Sequence, residues 1–374
     1  MTDYRKARFE ERDAYVRFAN MVFNDAGDPV KFDTDLPKVY GPGVDASHLQ
    51  NIAVDDEKGI RGLVAVLPGE LYAGGETIKT GFVGTVSVHP EARGEGHMKR
   101  LMGMALSEMR DNGTDLAMLH GRRQRYEYFG FAQGGVDWKF EVSRSCVQHA
   151  LKAVNADGVR FEEITADSPW VKDAEAMHRH GLAYYRRDSF VLDCMSFIHR
   201  PWAILKDGRF AGYLVCNSKK NFIAEIAVRS VNELDEALKA WVNLNDTGLT
   251  VVLPEWECVK ARHLAAYAEF AQLEPNVHVQ VFHFRKVIRA LMRLKAAYTR
   301  LTDGRLCLEV DGDRFTIIVE NGQPRVEDGG ESPVCLNALD ANRLVAYPFD
   351  YEGRPDVPAG WFPLPFFCAT PDQF

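Results

Sequence analysis

The sequence lacks the features that mark secreted, membrane-spanning or metal-binding proteins. Its seven cysteines stand singly, without a Cys-x-x-Cys pair, so neither a disulfide framework nor a zinc site is predicted. The first twelve residues alternate in charge, and no stretch is apolar over the length that a membrane helix needs. We therefore predict a reduced, cytoplasmic protein that has no membrane span and holds no metal.

Positive charge is also scarce. The chain has 45 Lys and Arg against 53 Asp and Glu, a net charge of −8, which argues against binding nucleic acid through a broad basic surface. A Gly-x-Ser-x-Gly elbow is missing, so nothing points to a serine hydrolase. An acidic surface favours cationic partners, although solubility alone also accounts for it.

The length of 374 residues and the 46% hydrophobic content predict a large core divided among two or three domains. Apolar periodicity and turn residues predict a first unit over residues 1–150. Its expected helices cover residues 9–24 and 98–109, and its expected strands cover residues 51–54, 60–67, 70–73, 80–88 and 115–120.

A second unit is predicted over residues 151–280, after turn residues at 155–158, and it repeats the broad order of the first. Its expected helices cover residues 169–187, 231–244 and 258–269, and its expected strands cover residues 202–205, 210–217, 221–228 and 248–253. The third unit, residues 281–374, is expected to contain helices at 284–297 and 339–345 and a hairpin of strands 305–310 and 314–319. It ends in an aromatic tail, residues 361–374, which is too apolar to remain in solvent and is expected to dock onto the body.

The most informative stretch is a strand, a glycine loop and a helix start. A strand through residues 85–88 leads into Arg93-Gly94-Glu95-Gly96, and a helix follows. Glycines let the backbone approach a phosphate closely, and the N-H groups of the helix start favour an anion. Arg93 can pair with a phosphate as well. A bare Gly-x-Gly is also compatible with an ordinary strand-to-helix turn.

This loop resembles the pyrophosphate loop of the GCN5-related N-acetyltransferase (GNAT) superfamily, Arg/Gln-x-x-Gly-x-Gly/Ala. Arg93 and Gly96 match it, whereas Met98 stands where Gly or Ala is usual. The run Tyr126-Glu-Tyr-Phe-Gly-Phe131 is similar to the Tyr-x-x-x-Gly-Phe signature of the same superfamily. Two motifs at the expected separation make this the best-supported resemblance.

Within the superfamily the whole chain resembles the enhanced intracellular survival (Eis) family. That resemblance implies a mixed α/β fold with two tandem GNAT domains, residues 1–150 and 151–280, and a sterol-carrier-protein-like α+β domain, residues 281–374. The second domain shows no cofactor motif after its central strands. The resemblance therefore implies one acetyl-CoA site, which lies in the first domain. It also implies a homo-oligomer, by analogy a hexamer.

The resemblance also assigns roles to residues. Acetyl-CoA is expected to be bound by the strand before the loop, by the loop and helix start, and by the segment after the fifth strand: Val86, Ser87, Val88, Arg93, Gly94, Glu95, Gly96, His97, Met98, Lys99, Gly121 and Arg122. Tyr126 is expected to be the general acid, with Tyr128 as an equally titratable alternative. The α-carboxylate of Phe374 is expected to be the base, unless the tail only covers apolar surface.

The sequence indicates less about the acceptor than about the cofactor. The resemblance implies a small molecule with a primary amine, such as an aminoglycoside or a polyamine, and Gln373 beside the terminus offers such a cation no charge. An acidic run after the first helix, Asp25, Asp28, Asp33 and Asp35, could attract it or could be a solvated loop. His120 could contact the acceptor or be a core histidine. Protein lysines remain an alternative acceptor, and a lipid carrier with a vestigial first domain remains an alternative function.

Overall fold

The computed structural model describes residues 1–27, 30–348 and 356–374. The first part of the chain contains six strands and six helices. They are β1 (Thr2–Lys6), α1 (Arg12–Asp25), α2 (Phe32–Asp35), α3 (Pro37–Tyr40), β2 (Gln50–Asp55), β3 (Gly59–Ala73), β4 (Glu76–Val88), α4 (His97–Asp111), β5 (Leu116–Leu119), α5 (Arg123–Tyr126), β6 (Ala132–Val142) and α6 (Arg144–His149).

The middle part repeats this pattern, and the last part is smaller. The middle elements are β7 (Val159–Glu163), α7 (Val171–Arg179), β8 (Ala183–Tyr185), α8 (Phe190–Cys194), β9 (Arg200–Lys206), β10 (Arg209–Cys216), β11 (Phe222–Val228), α9 (Val231–Asn245), β12 (Leu249–Leu253), α10 (Cys258–Ala265) and β13 (Phe270–Val281). The last elements are α11 (Phe284–Tyr298), β14 (Gly304–Val310), β15 (Asp313–Glu320), β16 (Gln323–Asp328), β17 (Val334–Leu336) and α12 (Ala338–Ala346).

A single sheet of thirteen strands runs through the first and middle parts. Its order is β1-β2-β3-β4-β5-β13-β6-β12-β11-β10-β9-β7, with β8 paired to β3. The mixed α/β class predicted from the sequence is thereby confirmed. The last part forms a separate four-stranded sheet, β16-β15-β14-β17, and its apolar side chains share one core with α11 and the first part.

The two halves of the large sheet exchange strands. β13, from the middle part, lies between β5 and β6 of the first part, with His278 opposite Leu119 and Val279 opposite Ala132. β6 in turn pairs with β12 of the middle part. Each half is therefore completed by a strand of the other. A domain boundary at residue 150 assigns β6 to the first part, although β6 also pairs with β12 of the middle part.

Two expected elements differ from those observed. Residues 60–67 and 70–73 form one strand, β3. Pro68 does not interrupt this strand, because it lies beyond Ala65, the last residue that pairs with β2. The N–H group that proline lacks therefore leaves no hydrogen bond of the ladder unmade. The helix expected over 169–187 ends at Arg179, and residues 183–185 pair with β3 as β8. Tertiary pairing overrides helical periodicity there.

At the seam between β6 and β13, burial raises the pKa of Asp137 to about 6, above its ordinary value of 3.8. The Asn276 side chain donates a hydrogen bond to Asp137 Oδ1 at 2.6 Å. Because the folded protein holds this proton more tightly than the unfolded chain, Asp137 stabilises the fold fully below pH 3.8, and the contribution is lost as pH rises through 6.

Asp137→Asn is expected to raise the melting temperature at pH 8 and to raise it only about half as much at pH 5. The amide keeps an acceptor for Asn276 and removes the buried charge, which is worth at most about 3 kcal/mol. Thermal unfolding at both pH values measures this, with Glu274→Gln on the exposed side of the same seam as the control. An Asn variant that loses stability equally at both pH values contradicts the expectation.

Candidate active site

The site lies where the two parallel strands β4 and β5 diverge. They pair only over Thr80 to Val83 and Leu116 to Leu119. Just beyond, β4 has an extra residue opposite Val64 of β3, and Thr85 adopts a φ of +48°. Such a bulge turns a strand away from its neighbour. Among the residues that the structure describes, no strand pairs with the edge of residues 86–88 that faces away from β3, and its backbone groups can pair with a ligand chain.

The glycine loop, residues 93–96, lies beside the opening between the diverging ends of β4 and β5, and its backbone is accessible. Gly94 and Gly96 have φ values of +91° and +85°, and a Cβ at either would meet no atom within 4 Å. Gly96 is the N-cap of α4 and carries no side chain to occupy the first N–H groups. An open helix start preceded by exposed backbone suits a phosphate. Arg93 is exposed beside it, with its guanidinium 4.0 Å from Asp25.

Two side chains that were expected to contact the cofactor, those of His97 and Met98, contact other parts of the protein instead. The His97 ring is buried, 2.8 Å from the Tyr4 hydroxyl and 3.0 Å from a Glu95 carboxylate oxygen. Met98 is half-buried and packs into the core beneath α4. Both residues can therefore offer a ligand only their backbone N–H groups, and the bulk of Met98 points away from the loop.

Combining Arg93→Ala with Gly96→Val is expected to weaken acetyl-CoA binding at least tenfold, about 1.4 kcal/mol. The first change removes a charge-assisted contact to phosphate, and the second places a β-branched residue at a positive φ. Calorimetric titration measures the affinity. Gly103→Val, at an open position within the same helix, is the control; equal affinity of the double variant would mean that the loop does not hold the diphosphate.

Tyr126 closes the other side of the opening. Its ring is 7% exposed and packs against the backbone of Gly121, where a Cβ would come within 2.4 Å of a ring carbon. Burial raises the pKa of the Tyr126 phenol, which keeps it protonated at neutral pH. The alternative, Tyr128, is 64% exposed and lies under the ammonium group of Lys99 at 5.4 Å. Arg122 is exposed at the start of α5.

The C-terminal residue reaches the same opening from the last part of the chain. The Phe374 side chain is 5% exposed and packs on Gly84, where a Cβ would lie 2.7 Å from the ring. Its ring centroid is 6.0 Å from that of Tyr40, whose hydroxyl is 2.6 Å from the Thr85 hydroxyl. Phe374 therefore packs directly beside the β4 bulge.

A buried charge network fixes the tail. The Arg187 guanidinium donates to both Asp372 oxygens, at 2.7 and 3.0 Å, and to the Glu225 carboxylate on β11. The Lys38 ammonium donates to the carbonyl of Pro371 at 2.8 Å. Sequence reasoning missed Arg187, Lys38 and Tyr40. Only a buried Arg paired with a distant Asp could have signalled the network, and that pairing is not visible in one sequence.

The remaining candidates are placed as follows. The surrounding protein lowers the pKa of His120, whose ring reaches solvent at the end of β5, and a hydrogen bond with Gln373 partly opposes that effect. Asp33 is exposed, and Asp35 accepts a hydrogen bond from the backbone of Lys31. Asp28 lies outside the described residues. Of this acidic run, Asp25 is the member found next to the glycine loop.

Residues 1–27, 30–348 and 356–374 contain neither a metal-binding cluster nor a membrane-spanning helix. There, no group of three or more His, Cys, Asp or Glu side chains could hold a metal ion. No helix among those residues is both long and apolar enough to cross a bilayer.

Comparison with known proteins identifies the class. Residues 3–134 match the family model of the acetyltransferase (GNAT) domain, so the first part of the chain is an acyltransferase domain. More specifically, residues 3–134 belong to the GCN5-related N-acetyltransferases. No curated protein matches the chain.

Solved structures match over nearly the whole length. A GCN5-related N-acetyltransferase from Anabaena variabilis has a TM-score of 0.65 at 17% identity, covering 92% of this chain and 90% of that one. A probable N-acyltransferase from Enterococcus faecalis has 0.65 at 12%, covering 92% and 89%. Eis1 from Mycobacterium abscessus has 0.59 at 14%, covering 91% and 88%. At these identities the likeness concerns the fold.

Proposed function

We propose that the protein transfers the acetyl group of acetyl-CoA to a primary amine of a cationic small molecule, such as an aminoglycoside or a polyamine. The observation that carries this proposal is the convergence of three parts on one opening. They are the glycine loop before α4, the protonated Tyr126 after β5, and Phe374, whose ring packs on Gly84. An anion cradle, an acid and a carboxylate are the groups that this reaction needs.

The loop and the strand before it would hold the cofactor. The N–H groups at Gly94, Gly96 and the start of α4 would bind the diphosphate, and Arg93 would add a charge. The free edge at residues 86–88 would pair with the amides of the pantetheine arm and so direct the thioester towards Tyr126. Acetyl-CoA supplies the activated acyl group, and this chain's residues orient it.

Proton transfer completes the reaction. The neutral amine attacks the thioester carbonyl, its C–N bond forms as the C–S bond breaks, and Tyr126 gives its proton to the departing sulfur. The carboxylate of Phe374 takes the proton that the amine releases, directly or through a water. An α-carboxyl has a pKa near 3.5 in water, so it takes a proton from an amine only where burial raises that pKa or where a water relays the proton.

Four further expectations belong to this proposal. The last part of the chain is taken as a sterol-carrier-protein-like domain, and the middle part as a GNAT-like domain without a cofactor. The protein is taken to work in the cytoplasm as a homo-oligomer, by analogy a hexamer. Their support is the resemblance of the sequence and the strand order β9-β10-β11-β12, which repeats that of the first half.

The deciding experiment is an assay of coenzyme A release from acetyl-CoA against a panel of amines. Kanamycin, spermidine, a lysine-containing peptide and buffer alone form the panel, with product masses checked. Turnover with kanamycin or spermidine above the peptide supports the proposal. Turnover with the peptide alone assigns the enzyme to protein lysines, and no turnover with any amine overturns the proposal.

A further inference from the structure

The middle part repeats the diverging strand pair of the active site. β11 and β12 are parallel, with α9 between them, and they pair only at Phe222 and Ile223 with Thr250 and Val251. Beyond these residues the strands separate, as β4 and β5 do. A cavity of about 600 Å³ lies along this second opening, within the usual range for ligand sites.

This second opening has no place for a diphosphate. α9 begins directly after β11, and its first turn is already capped. The Ser230 side chain accepts from the Glu233 N–H at 3.2 Å, and the Glu233 carboxylate accepts from the Arg229 N–H at 2.7 Å. A carboxylate at a helix start repels a second anion. Coenzyme A is therefore excluded as the occupant on charge as well as on loop sequence.

One edge of β11 is open towards the cavity. β10 pairs with the opposite edge through Val228, whereas β12 leaves β11 after Ile223. Across the described parts of the chain, no strand and no side chain bonds to the β12-facing edge of residues 225–228. Backbone groups in a cavity require hydrogen-bond partners. An extended chain that carries amides supplies them at the strand repeat of about 3.3 Å per residue.

The walls favour an uncharged, apolar occupant. Four aromatic side chains are only half-buried because they face this space: Tyr184, Phe210, Trp256 and Phe367. The carboxylates deeper in the wall are already paired, Glu225 and Asp372 with Arg187, and Glu257 with Lys260 at 2.8 Å. A charged ligand group would lose hydration there without gaining a free partner, whereas amides are satisfied by the open edge.

We propose that this cavity binds a short, extended peptide segment with apolar side chains, which adds to residues 225–228 as a further strand. Alternate side chains of the peptide pack among Tyr184, Phe210 and Trp256, and its backbone pairs with β11. The tail residues Phe367, Ala369 and Asp372 form one wall of this cavity, and none of the residues placed at the acetyl-transfer opening, the glycine loop, Tyr126 and Phe374, lines it, so the two sites are distinct.

The test is calorimetric titration of the full chain, saturated with acetyl-CoA, with capped peptides that contain Val-Tyr-Val-Tyr or Val-Phe-Val-Phe. Binding with a Kd below about 100 μM is expected. The matched ligand control is the same peptide N-methylated at alternate residues in either register. One of the two registers should bind at least about tenfold more weakly, because methylation removes the donors that face β11.

The protein variant that tests the location is Ala227→Phe, which fills the cavity beside the open edge of β11. Ala271→Phe, in the exposed first half of β13, is the control. The first should lose at least about tenfold in affinity and the second none. Hydrogen exchange should slow at residues 225–228 on binding. The proposal is overturned if no peptide binds with a Kd below about 100 μM, if both methylated registers bind like the parent, or if acetyl-CoA competes. Because only binding is measured, its failure leaves the acetyl-transfer proposal untouched.

Discussion

Tyr126→Phe is expected to lower kcat of acetyl transfer by about 10² to 10⁴ while the affinity for acetyl-CoA stays unchanged. General acids contribute rate enhancements of this size. The ring of Tyr126 packs on Gly121 and in the core beneath α4, and phenylalanine keeps those contacts. Since burial raises the pKa of the phenol, the wild-type group stays protonated throughout neutral pH, so the loss should be constant between pH 6 and 9.

The measurement is steady-state release of coenzyme A, paired with calorimetric titration of acetyl-CoA. Tyr128→Phe is the matched control, because it removes a phenol two residues away that is 64% exposed. It should retain near wild-type kcat. If the two variants exchange behaviour, Tyr128 is the acid; if both stay active, neither phenol protonates the leaving sulfur.

The glycine loop and its helix were predictable because their signals are local. The apolar spacing from Met98 to Met109 predicts the helix that the structure shows as α4, and Arg93-Gly94-Glu95-Gly96 lies at its start. Both glycines adopt the positive φ that only glycine takes easily. The same holds for β14 and β15, whose turn residues predict a hairpin.

The exchange of β6 and β13 could not be predicted in the same way. β6 contains Gly134 and Gly135, and β13 contains Pro275, so neither has the pattern of a central strand. Pro275 and the residues before it lie opposite β6 alone, because β5 pairs only from His278 onward. A proline is tolerated where one side of the strand is free, but one sequence does not show which side that is.

Only the cofactor side of the site could be predicted from the sequence, for the same reason. The cofactor side is a contiguous motif, whereas the tail is held by contacts between residues far apart in the chain. Arg187 lies 185 positions from Asp372 and 38 from Glu225. Single-sequence patterns carry no information about such pairs, since each charge alone is typical of a surface residue.

The second large effect is expected from moving the chain end. Appending two glycines after Phe374 should lower kcat by at least about tenfold, because the α-carboxylate is then carried about 7 Å further along the chain and the Phe374 position becomes an amide. The same dipeptide placed before Met1, which is 99% exposed, should have no effect. Release of coenzyme A with the best amine of the panel measures both.

A second variant separates a catalytic carboxylate from a tail that only fills space. Asp372→Asn removes one of the two carboxylates held by Arg187 and leaves the Arg187–Glu225 pair intact, so the fold survives while the chain end loosens. If the carboxylate is the base, kcat falls and the acidic limb of the pH–rate profile shifts, whereas Asp188→Asn, at an exposed neighbouring carboxylate, changes neither. Full activity of both the extended protein and Asp372→Asn would mean that the proton leaves through another group, and His120, which hydrogen-bonds with Gln373 and whose pKa the surrounding protein lowers, is then the next candidate.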